Sequence, residues 1–374
     1  MKINNRDMPL RVIISGGGTG GHIFPAISIA NAIKEQHPDA EILFIGADGR
    51  MEMQRVPQAG YEIKGLPIMG FDRKHIFKNI KVLVHLWKSQ RIARKIIRDF
   101  HPDVAVGVGG YASGPTLNQA ANMGIPCLIQ EQNSYAGVTN KILAKKVAKI
   151  CVAYDGMERF FPKEKIILTG NPVRQQLFNS NLTKEEARRA FSLQTDRKTI
   201  LIVGGSLGAR TINQSVLSYL DKLQGSDVQI IWQTGKYYHE SVVKALSDKD
   251  LPMLHVTDFI SDMGAAYTCA DLVISRAGAG SISEFCLLGK PVILVPSPNV
   301  AEDHQTKNAM ALVNKDAALY VSDVEAVQHL MPLAIETVGD DDRLHTLSEN
   351  IKKLALPDSA RIIADEVMKL IIDN

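Results

Sequence analysis

Five glycines, a threonine and a histidine, Gly16-Gly17-Gly18-Thr19-Gly20-Gly21-His22, follow the apolar run Val12-Ile13-Ile14 after a single serine, Ser15. A buried strand that breaks into such a turn and opens a helix lets backbone N–H groups reach an anion, with the positive end of the helix aimed at it. Glycine suits the turn because it takes φ > 0 freely and has no Cβ to hold a ligand away. The chain repeats the arrangement at Gly109-Gly110-Tyr111-Ala112-Ser113-Gly114, at Gly204-Gly205-Ser206-Leu207-Gly208-Ala209 and at Arg276-Ala277-Gly278-Ala279-Gly280-Ser281. Four turns of one kind point to phosphate-bearing ligands cradled by backbone groups.

The last of these turns runs on into Ile282-Ser283-Glu284. A carboxylate in the early turns of a helix is stabilised by the dipole, and Glu284 could accept hydrogen bonds from the two vicinal hydroxyls of a ribose. A first-turn Glu that only complements the dipole is the plainer alternative. Asp303-His304-Gln305, after Pro296-Ser297-Pro298, could offer polar groups to a sugar hydroxyl. Gly16 to Gly21 also approximates a dinucleotide fingerprint, with Asp48 as the ribose carboxylate, but the spacing to Asp48 is longer than that fingerprint wants. Asp248-Lys249-Asp250 and Asp340-Asp341-Asp342 have the spelling of a divalent-metal pair, yet both lie in polar stretches beside helix ends and read as solvated loops. No metal or cofactor is expected. Helix N-termini, each worth about half a unit of positive charge, must then meet a leaving diphosphate.

The elements that position these groups alternate in one grammar. Expected strands are Arg11–Ser15, Glu41–Ile45, Tyr61–Gly65, Val104–Val108, Cys127–Gln130, Lys149–Ala153 and Ile166–Thr169, with helices at Phe24–Gln36, Ile76–Phe100, Gly114–Met123 and Ala136–Lys146. Gly170-Asn171-Pro172-Val173-Arg174 interrupts the pattern, and the domain crossing is placed there. The second half restarts with strands Thr199–Val203, Gln229–Gln233, Leu254–Thr257, Leu272–Ser275 and Val292–Val295. Its helices include Ala209–Leu220, Ser281–Leu288, Gln305–Val313, Leu344–Leu354 and Ser359–Ile372, with a polar turn at Gly339–Arg343. Short apolar runs alternating with amphipathic helices are the signature of parallel α/β layers. The fold expected is α/β with two Rossmann-like, doubly wound domains facing across a cleft, residues 1–171 and 172–356. The last helix, about 357–374, is expected to pack back on the first domain.

Composition excludes several classes. At 374 residues two domains are expected, and 45% apolar with 22% charged residues is ordinary for a globular protein. Cys127, Cys151, Cys269 and Cys286 are far apart and form no CxxC pair, which argues against a disulfide framework or zinc site. No apolar run approaches the roughly 18 residues of a membrane span, and the N-terminus is not a signal peptide. A net charge of +3 gives no case for nucleic acid, but nine Lys or Arg face one acidic residue between Asp72 and Arg98. There Ile76, Phe77, Ile80, Leu83, Val84 and Trp87 follow helical spacing with Lys78, Lys81 and Lys88 interleaved. That pattern suits docking on an anionic membrane surface, where apolar residues insert and each basic one adds about 1 kcal/mol. A crossover helix burying one stripe on its sheet is the alternative.

Taken in order, Gly17-Gly18-Thr19-Gly20-Gly21-His22, Gly109-Gly110-Tyr111-Ala112-Ser113-Gly114-Pro115, Glu131-Gln132-Asn133, Gly170-Asn171-Pro172-Val173-Arg174, Gly204-Gly205-Ser206 and Ser281-Ile282-Ser283-Glu284 span nearly the whole chain. Their order resembles that of glycosyltransferase family 28, the bacterial transferases that add N-acetylglucosamine to lipid I to make lipid II in peptidoglycan synthesis. The resemblance implies a GT-B fold, metal-independent chemistry and inversion at the sugar C1. It implies that Thr19, Gly20, Gly21, Asn133 and Arg174 contact the donor, with Ser206 at the diphosphate and Ile260 against the uracil. Ala279, Gly280, Ser281, Ile282, Ser283 and Glu284 match the nucleotide segment, and Gln305 the residue on the sugar hydroxyls. Gly18, His22, Gly109, Gly110, Tyr111 and Ser113 resemble the acceptor side. The chain departs from the family pattern in two places: Gln130 stands where a histidine is frequent, and Leu207 where some members have glutamine.

The mechanism expected is displacement at C1 of UDP-N-acetylglucosamine by the muramyl 4-hydroxyl, with His22 as first candidate for the base and Glu131 behind it. His22 could instead bind the acceptor diphosphate or simply start its helix. The partners implied are UDP-N-acetylglucosamine, lipid I, an anionic membrane surface and cell-wall and division proteins. The expected location is the cytoplasmic face of the plasma membrane, held peripherally. A GT-B transferase with another lipid acceptor, a UDP-sugar epimerase and a non-catalytic nucleotide-binding module are the competing readings.

Overall fold

Val12, Ile13 and Ile14 are wholly buried because β1 (Arg11–Ser15) lies inside a seven-stranded parallel sheet with helices on both faces. The computed structural model describes residues 9–68, 79–173, 177 and 181–372. After β1 come α1 (Gly20–Gln36), β2 (Glu41–Ala47), α2 (Glu52–Gln58), β3 (Glu62–Leu66), α3 (Asn79–Phe100) and β4 (Val104–Gly107). Then follow α4 (Ser113–Asn122), β5 (Cys127–Glu131), α5 (Val138–Leu143), β6 (Lys149–Val152) and β7 (Ile166–Leu168). The sheet order is β3-β2-β1-β4-β5-β6-β7, every pair parallel.

Alternation along β1 divides the core. Val12 and Ile14 join Ile29 and Ile33 of α1 on one face, while Ile13 joins Ile97 of α3, Leu117 of α4 and Leu143 of α5 on the other. A sheet covered on both faces needs continuous apolar strands, which is why Val104–Val106 and Leu128–Ile129 show no polar alternation.

The chain changes unit after Val173 and returns at Leu356. The second unit contains α6 (Lys184–Ala190), β8 (Thr199–Val203), α7 (Arg210–Leu223), β9 (Gln229–Gln233), α8 (His239–Leu246), β10 (Leu254–Thr257) and α9 (Met263–Cys269). It continues with β11 (Leu272–Ser275), α10 (Ala279–Leu288), β12 (Val292–Leu294), α11 (His304–Val313), β13 (Leu319–Tyr320), α12 (Ala326–Gly339) and α13 (Asp341–Lys352). Its sheet is again parallel, in the order β10-β9-β8-β11-β12-β13.

The final helix, α14 (Ser359–Ile372), belongs to the first unit, where Ile363, Ala364, Val367, Leu370 and Ile371 complete the core beside α1. Departure and return meet at Gly170 (φ +80°), whose ideal Cβ would lie 2.5 Å from Ser359 Oγ and 2.6 Å from Leu356 Cβ.

Two expectations are corrected. Gly339–Arg343 is not a turn: Asp340 accepts a hydrogen bond from the Arg343 N–H at 2.9 Å as N-cap, and Asp341 and Asp342 form the first turn of α13. Carboxylates there answer the helix dipole, so the Asp340-Asp341-Asp342 spelling is a helix start rather than a solvated loop. The fourteen-residue α12, with Pro332 inside it, was not expected. It buries Leu330, Met331, Ala334 and Val338 against the second core. The expected helix from Ile76 begins, among the described residues, at Asn79.

Candidate active site

The four glycine turns follow β1, β4, β8 and β11, and these are the strands that adjoin where each sheet reverses its order. β1 pairs with β4 through Ser15 and Gly107, and β8 with β11 through Val203 and Ser275. Ligands of open α/β sheets bind at the carboxyl ends of strands at this reversal. The helices that follow the turns, α1, α4, α7 and α10, carry no acidic residue in their first turns. Their dipoles are left for something else to neutralise. Away from the reversal α6 and α13 begin with Glu185 and Glu186 or with Asp341 and Asp342, while α5, α9, α12 and α14 begin, like the site helices, without an acid.

In the first unit the two turns interlock. A Cβ on Gly110 (φ +83°) would come within 2.3 Å of the Gly17 carbonyl oxygen, and one on Gly16 within 3.2 Å of Val108 Cβ. Thr19 is the extended N-cap residue of α1, and its hydroxyl lies 3.2 Å from His22 Nδ1. The His22 ring rests on Gly109, so His22, Gly18, Thr19, Gly20, Gly21, Gly109 and Gly110 are gathered at one place. Tyr111 is exposed there. Ser113, expected on the acceptor side, is fully buried at the start of α4, with its hydroxyl turned to the Gly107 backbone of β4.

Beneath this place lies a chain of buried amides. Gln132 donates to the Val108 carbonyl at 2.8 Å and to Gln130, Gln130 donates to Asn171 Oδ1 at 2.8 Å, and Asn171 donates to the Gln132 carbonyl at 3.0 Å. Glu131, at the end of β5, is 2% exposed. Its Oε1 accepts from the Asn133 N–H at 3.1 Å and the Asn133 side chain at 3.3 Å, and its Oε2 from the Gly137 N–H at 3.0 Å and Asn140 Nδ2 at 2.9 Å. Burial raises its pKa against these donors. Glu131 therefore shapes the 133–137 loop, and Asn133 is positioned by it. Arg174 lies outside the described residues, as do Ile76, Phe77 and Lys78 and the side chains of Ile80 and Lys81. On α3 Leu83, Val84 and Trp87 are exposed beside Lys88, with the Arg91 guanidinium 4.7 Å from the Trp87 ring centroid.

The second unit holds a cavity of about 690 Å³ between its two glycine turns. Gly204, Gly205 and Gly208 form one wall, Arg276, Gly278 and Ser281 another, and Ser297, Asn299 and Gln305 a third. Gly208 (φ +88°) allows the first wall to close on β9, since a Cβ would meet the Thr234 carbonyl oxygen at 2.3 Å. Gln305 accepts from the Ser297 N–H at 2.8 Å. Its helix, α11, is entered through two successive left-handed residues, Glu302 (φ 56°) and Asp303 (φ 53°), a costly backbone of the kind found at functional sites. Arg276 pairs with Asp323, which also accepts from the Thr211 hydroxyl at 2.9 Å, and both acid and base line the cavity.

Glu284 is buried in the second turn of α10, with Oε2 accepting from the Tyr267 hydroxyl at 3.0 Å. Ala279 and Gly280 are partly exposed at the helix start, and Ser206 is exposed on its turn next to Leu207. Ile282 and Ile260 are 2% and 3% exposed, so both side chains belong to the core and only their backbone groups remain for a ligand. Ser283 donates back to the Ala279 carbonyl at 3.1 Å.

Sequence reasoning missed Glu52, Thr211, Tyr267 and Asp323. Glu52, Tyr267 and Asp323 sit in no glycine-rich stretch and reach their sites from other elements, while Thr211 lies just past the third glycine turn, in the first turn of α7. Among the described residues no cluster of three or more His, Cys, Asp or Glu could hold a metal ion, and no helix is long and apolar enough to cross a membrane.

Comparison with known proteins gives the family. Residues 12–152 match the glycosyltransferase family 28 N-terminal domain and residues 199–362 its C-terminal domain. A Phocaeicola vulgatus protein is 71% identical over 362 residues, 96% of each chain; it is named UDP-N-acetylglucosamine–N-acetylmuramyl-(pentapeptide) pyrophosphoryl-undecaprenol N-acetylglucosamine transferase. A Porphyromonas gingivalis protein of that name is 56% identical, covering 97% of this chain and 96% of its own. The crystal structure of Acinetobacter baumannii MurG superposes with a TM-score of 0.79 at 28% identity, covering 96% of this chain and all of that one. A UDP-GlcNAc 2-epimerase from Neisseria meningitidis shares the fold, with a TM-score of 0.67 at 14% identity over 97% of this chain and all of that one. The chain belongs to glycosyltransferase family 28.

Proposed function

We propose that the chain transfers N-acetylglucosamine from UDP-N-acetylglucosamine to the 4-hydroxyl of the muramyl unit of lipid I, giving lipid II with inversion and without a metal ion. The observation that carries the reading is the second-unit cavity, walled by two glycine turns with acid-free helix starts behind them. The named activity of the relatives supplies the substrates.

The donor diphosphate sits against the N-termini of α7 and α10, near Ser206 and Ser281. Their dipoles stabilise the charge that develops as the C1–O bond to UDP breaks. Glu284, steadied by Tyr267, takes the ribose hydroxyls, and Gln305 reaches the sugar. The muramyl oxygen attacks C1 from the opposite face, so the new bond is β. His22 accepts the hydroxyl proton, its ring set by Thr19 and Gly109; such base catalysis is typically worth about 10²–10⁴-fold. Glu131 acts through the 133–137 loop and not as a base, because its carboxylate is occupied by four donors.

Lipid I is anchored in a bilayer, and the exposed Leu83, Val84 and Trp87 with Lys88 form the docking face, at the cytoplasmic surface where UDP-sugars are found. Replacing Leu83 and Trp87 by Ser should weaken binding to anionic vesicles while leaving UDP affinity intact. Unchanged vesicle binding would overturn that part.

The deciding assay is transfer of labelled sugar to a short-chain lipid I analogue in EDTA. A β-1,4-linked disaccharide is the expected product. UDP binding without transfer would overturn the acceptor, an epimerised donor with no need of lipid would overturn the reaction class, and silence restored by a divalent ion would overturn the metal-free step.

A further inference from the structure

We propose that Glu52 is a positioning residue: its carboxylate locks the Gly17–Gly18 backbone, and through it the first turn of α1 and His22, in the conformation that meets the acceptor. The ligand named here rests on the transfer reading above; the geometry stands without it.

Glu52 is 0% exposed at the start of α2. Burying a carboxylate is costly unless its oxygens are satisfied, and among the described residues no cation faces this one. Its partners are two main-chain N–H groups, Gly18 to Oε2 at 2.9 Å and Ala47 to Oε1 at 3.0 Å. Ala47 ends β2, the strand that pairs in register with β1, so the carboxylate ties the turn after β1 to the end of its neighbour. Room for it has been cleared on both sides. A Cβ on Gly17 would stand 2.1 Å from Oε1, and one on Gly46 would stand 2.6 Å from Cγ. Two glycines and a buried acid thus form one device.

A carboxylate only accepts, so it dictates which N–H groups turn inward. With the Gly18 N–H drawn under the loop, the N–H groups of Thr19, Gly20 and Gly21, which the helix itself cannot use, are those that remain for an anion. The N–H groups of His22 and Ile23 are held by the Thr19 carbonyl at 3.1 and 3.2 Å, so the histidine follows wherever the Gly18 backbone is set.

Glu52→Gln keeps the shape but sets an amide NH₂ against one of two backbone donors. In the lipid I transfer assay its turnover should fall about 10²-fold, the loss expected when a reacting group is misplaced by about 1 Å, with the KM for UDP-N-acetylglucosamine unchanged. Gly46→Ala, which crowds the Glu52 stem while keeping the acid, should shift turnover the same way. Wild-type turnover in Glu52→Gln, or a parallel loss of donor affinity and melting temperature in both variants, would overturn the assignment. If wild-type protein transfers nothing to lipid I, the functional reading fails and amide exchange decides this one. The Gly18 amide should be protected in the wild type while Thr19, Gly20 and Gly21 exchange freely. Gly18 exchanging as fast as those three would overturn the proposal, whether or not the variants fold.

Discussion

The His22 ring lies where the side chain of residue 109 would be: a Cβ on Gly109 would come within 2.7 Å of His22 Cδ2 and 2.9 Å of Nε2. The histidine of one glycine turn is therefore seated by the absence of a side chain in the other. Gly109→Ala should cost about 1–2 kcal/mol of stability for its φ of +86° alone, and it should tilt the ring. Turnover should fall at least as far as in His22→Ala, with UDP affinity retained. Full activity in Gly109→Ala would remove His22 from the reaction centre.

The amides of Gln130, Gln132 and Asn171 satisfy one another inside the first unit. Asn171→Ala takes away the acceptor of Gln130 and the donor to the Gln132 carbonyl. Stranding buried groups costs about 1–3 kcal/mol each, so the melting temperature should drop by several degrees. Adding Gln130→Ala should cost less than its effect alone, because the two share one network. Strict additivity in calorimetry would show that they do not.

Tyr267→Phe removes the hydroxyl that holds Glu284 Oε2. A hydrogen bond to a carboxylate is worth about 1.5–3 kcal/mol, which sets the ceiling on the expected rise in the KM for UDP-N-acetylglucosamine. Glu284→Ala should weaken the donor further, and neither should change the KM for lipid I. Titration calorimetry showing normal UDP affinity in both variants would take Glu284 off the ribose.

The protein should lose stability in alkali. Burial pushes Cys127, Cys151 and Cys286 up to about 12 and Cys269 to about 11, from an ordinary 9.0. Above pH 9 the unfolded chain sheds these protons while the folded chain keeps them, so each thiol draws the equilibrium toward unfolding by up to about 1.4 kcal/mol per pH unit. Lys290 acts the other way. Burial lowers it to about 8 from 10.5, so the penalty for its buried charge is relieved as pH rises between those values. Four groups outweigh one. Urea unfolding should show little change between pH 8 and 9, where Lys290 offsets the thiols, and a steep fall from pH 9 to 10, with no thiol labelled in folded protein; a flat profile above pH 9 would contradict it.

The parallel α/β class was legible because apolar runs such as Val12–Ile14, Ile200–Ile202 and Leu272–Ile274 are continuous, as strands covered on both faces require. The glycine turns were legible because close packing of backbone and side chains leaves glycine as its trace, as at Gly109 against His22 and Gly208 against Thr234. Glu52, Tyr267 and Asp323 were not, since each acts at a distance in sequence and resembles any other polar residue. Ser113 and Ile282 show the converse: they stand in glycine-rich motif stretches, but their place on the helix turns their side chains to the core. The α6 helix has its sign in Thr183 and Glu186, a capping box with both hydrogen bonds made, but its five charged residues and two alanines show no apolar stripe. α12 does carry a helical stripe, Ala326, Leu330, Met331, Ala334 and Val338, but Pro332 stands inside it and reads as a helix breaker.

Because α14 supplies part of the wall beside α1, the first unit cannot be finished when its own strands have been made. A ribosome that has delivered residues up to Val173 has released seven strands whose face around Ile29 and Ile33 still lacks Ile363, Val367 and Leu370. Those residues emerge only after the whole second unit, so the earlier half must wait, uncovered, for the last fourteen-residue helix. Chains cut short before Leu356 should therefore be wards of chaperones and proteases, while the second unit, contiguous in sequence, can close as soon as it is synthesised.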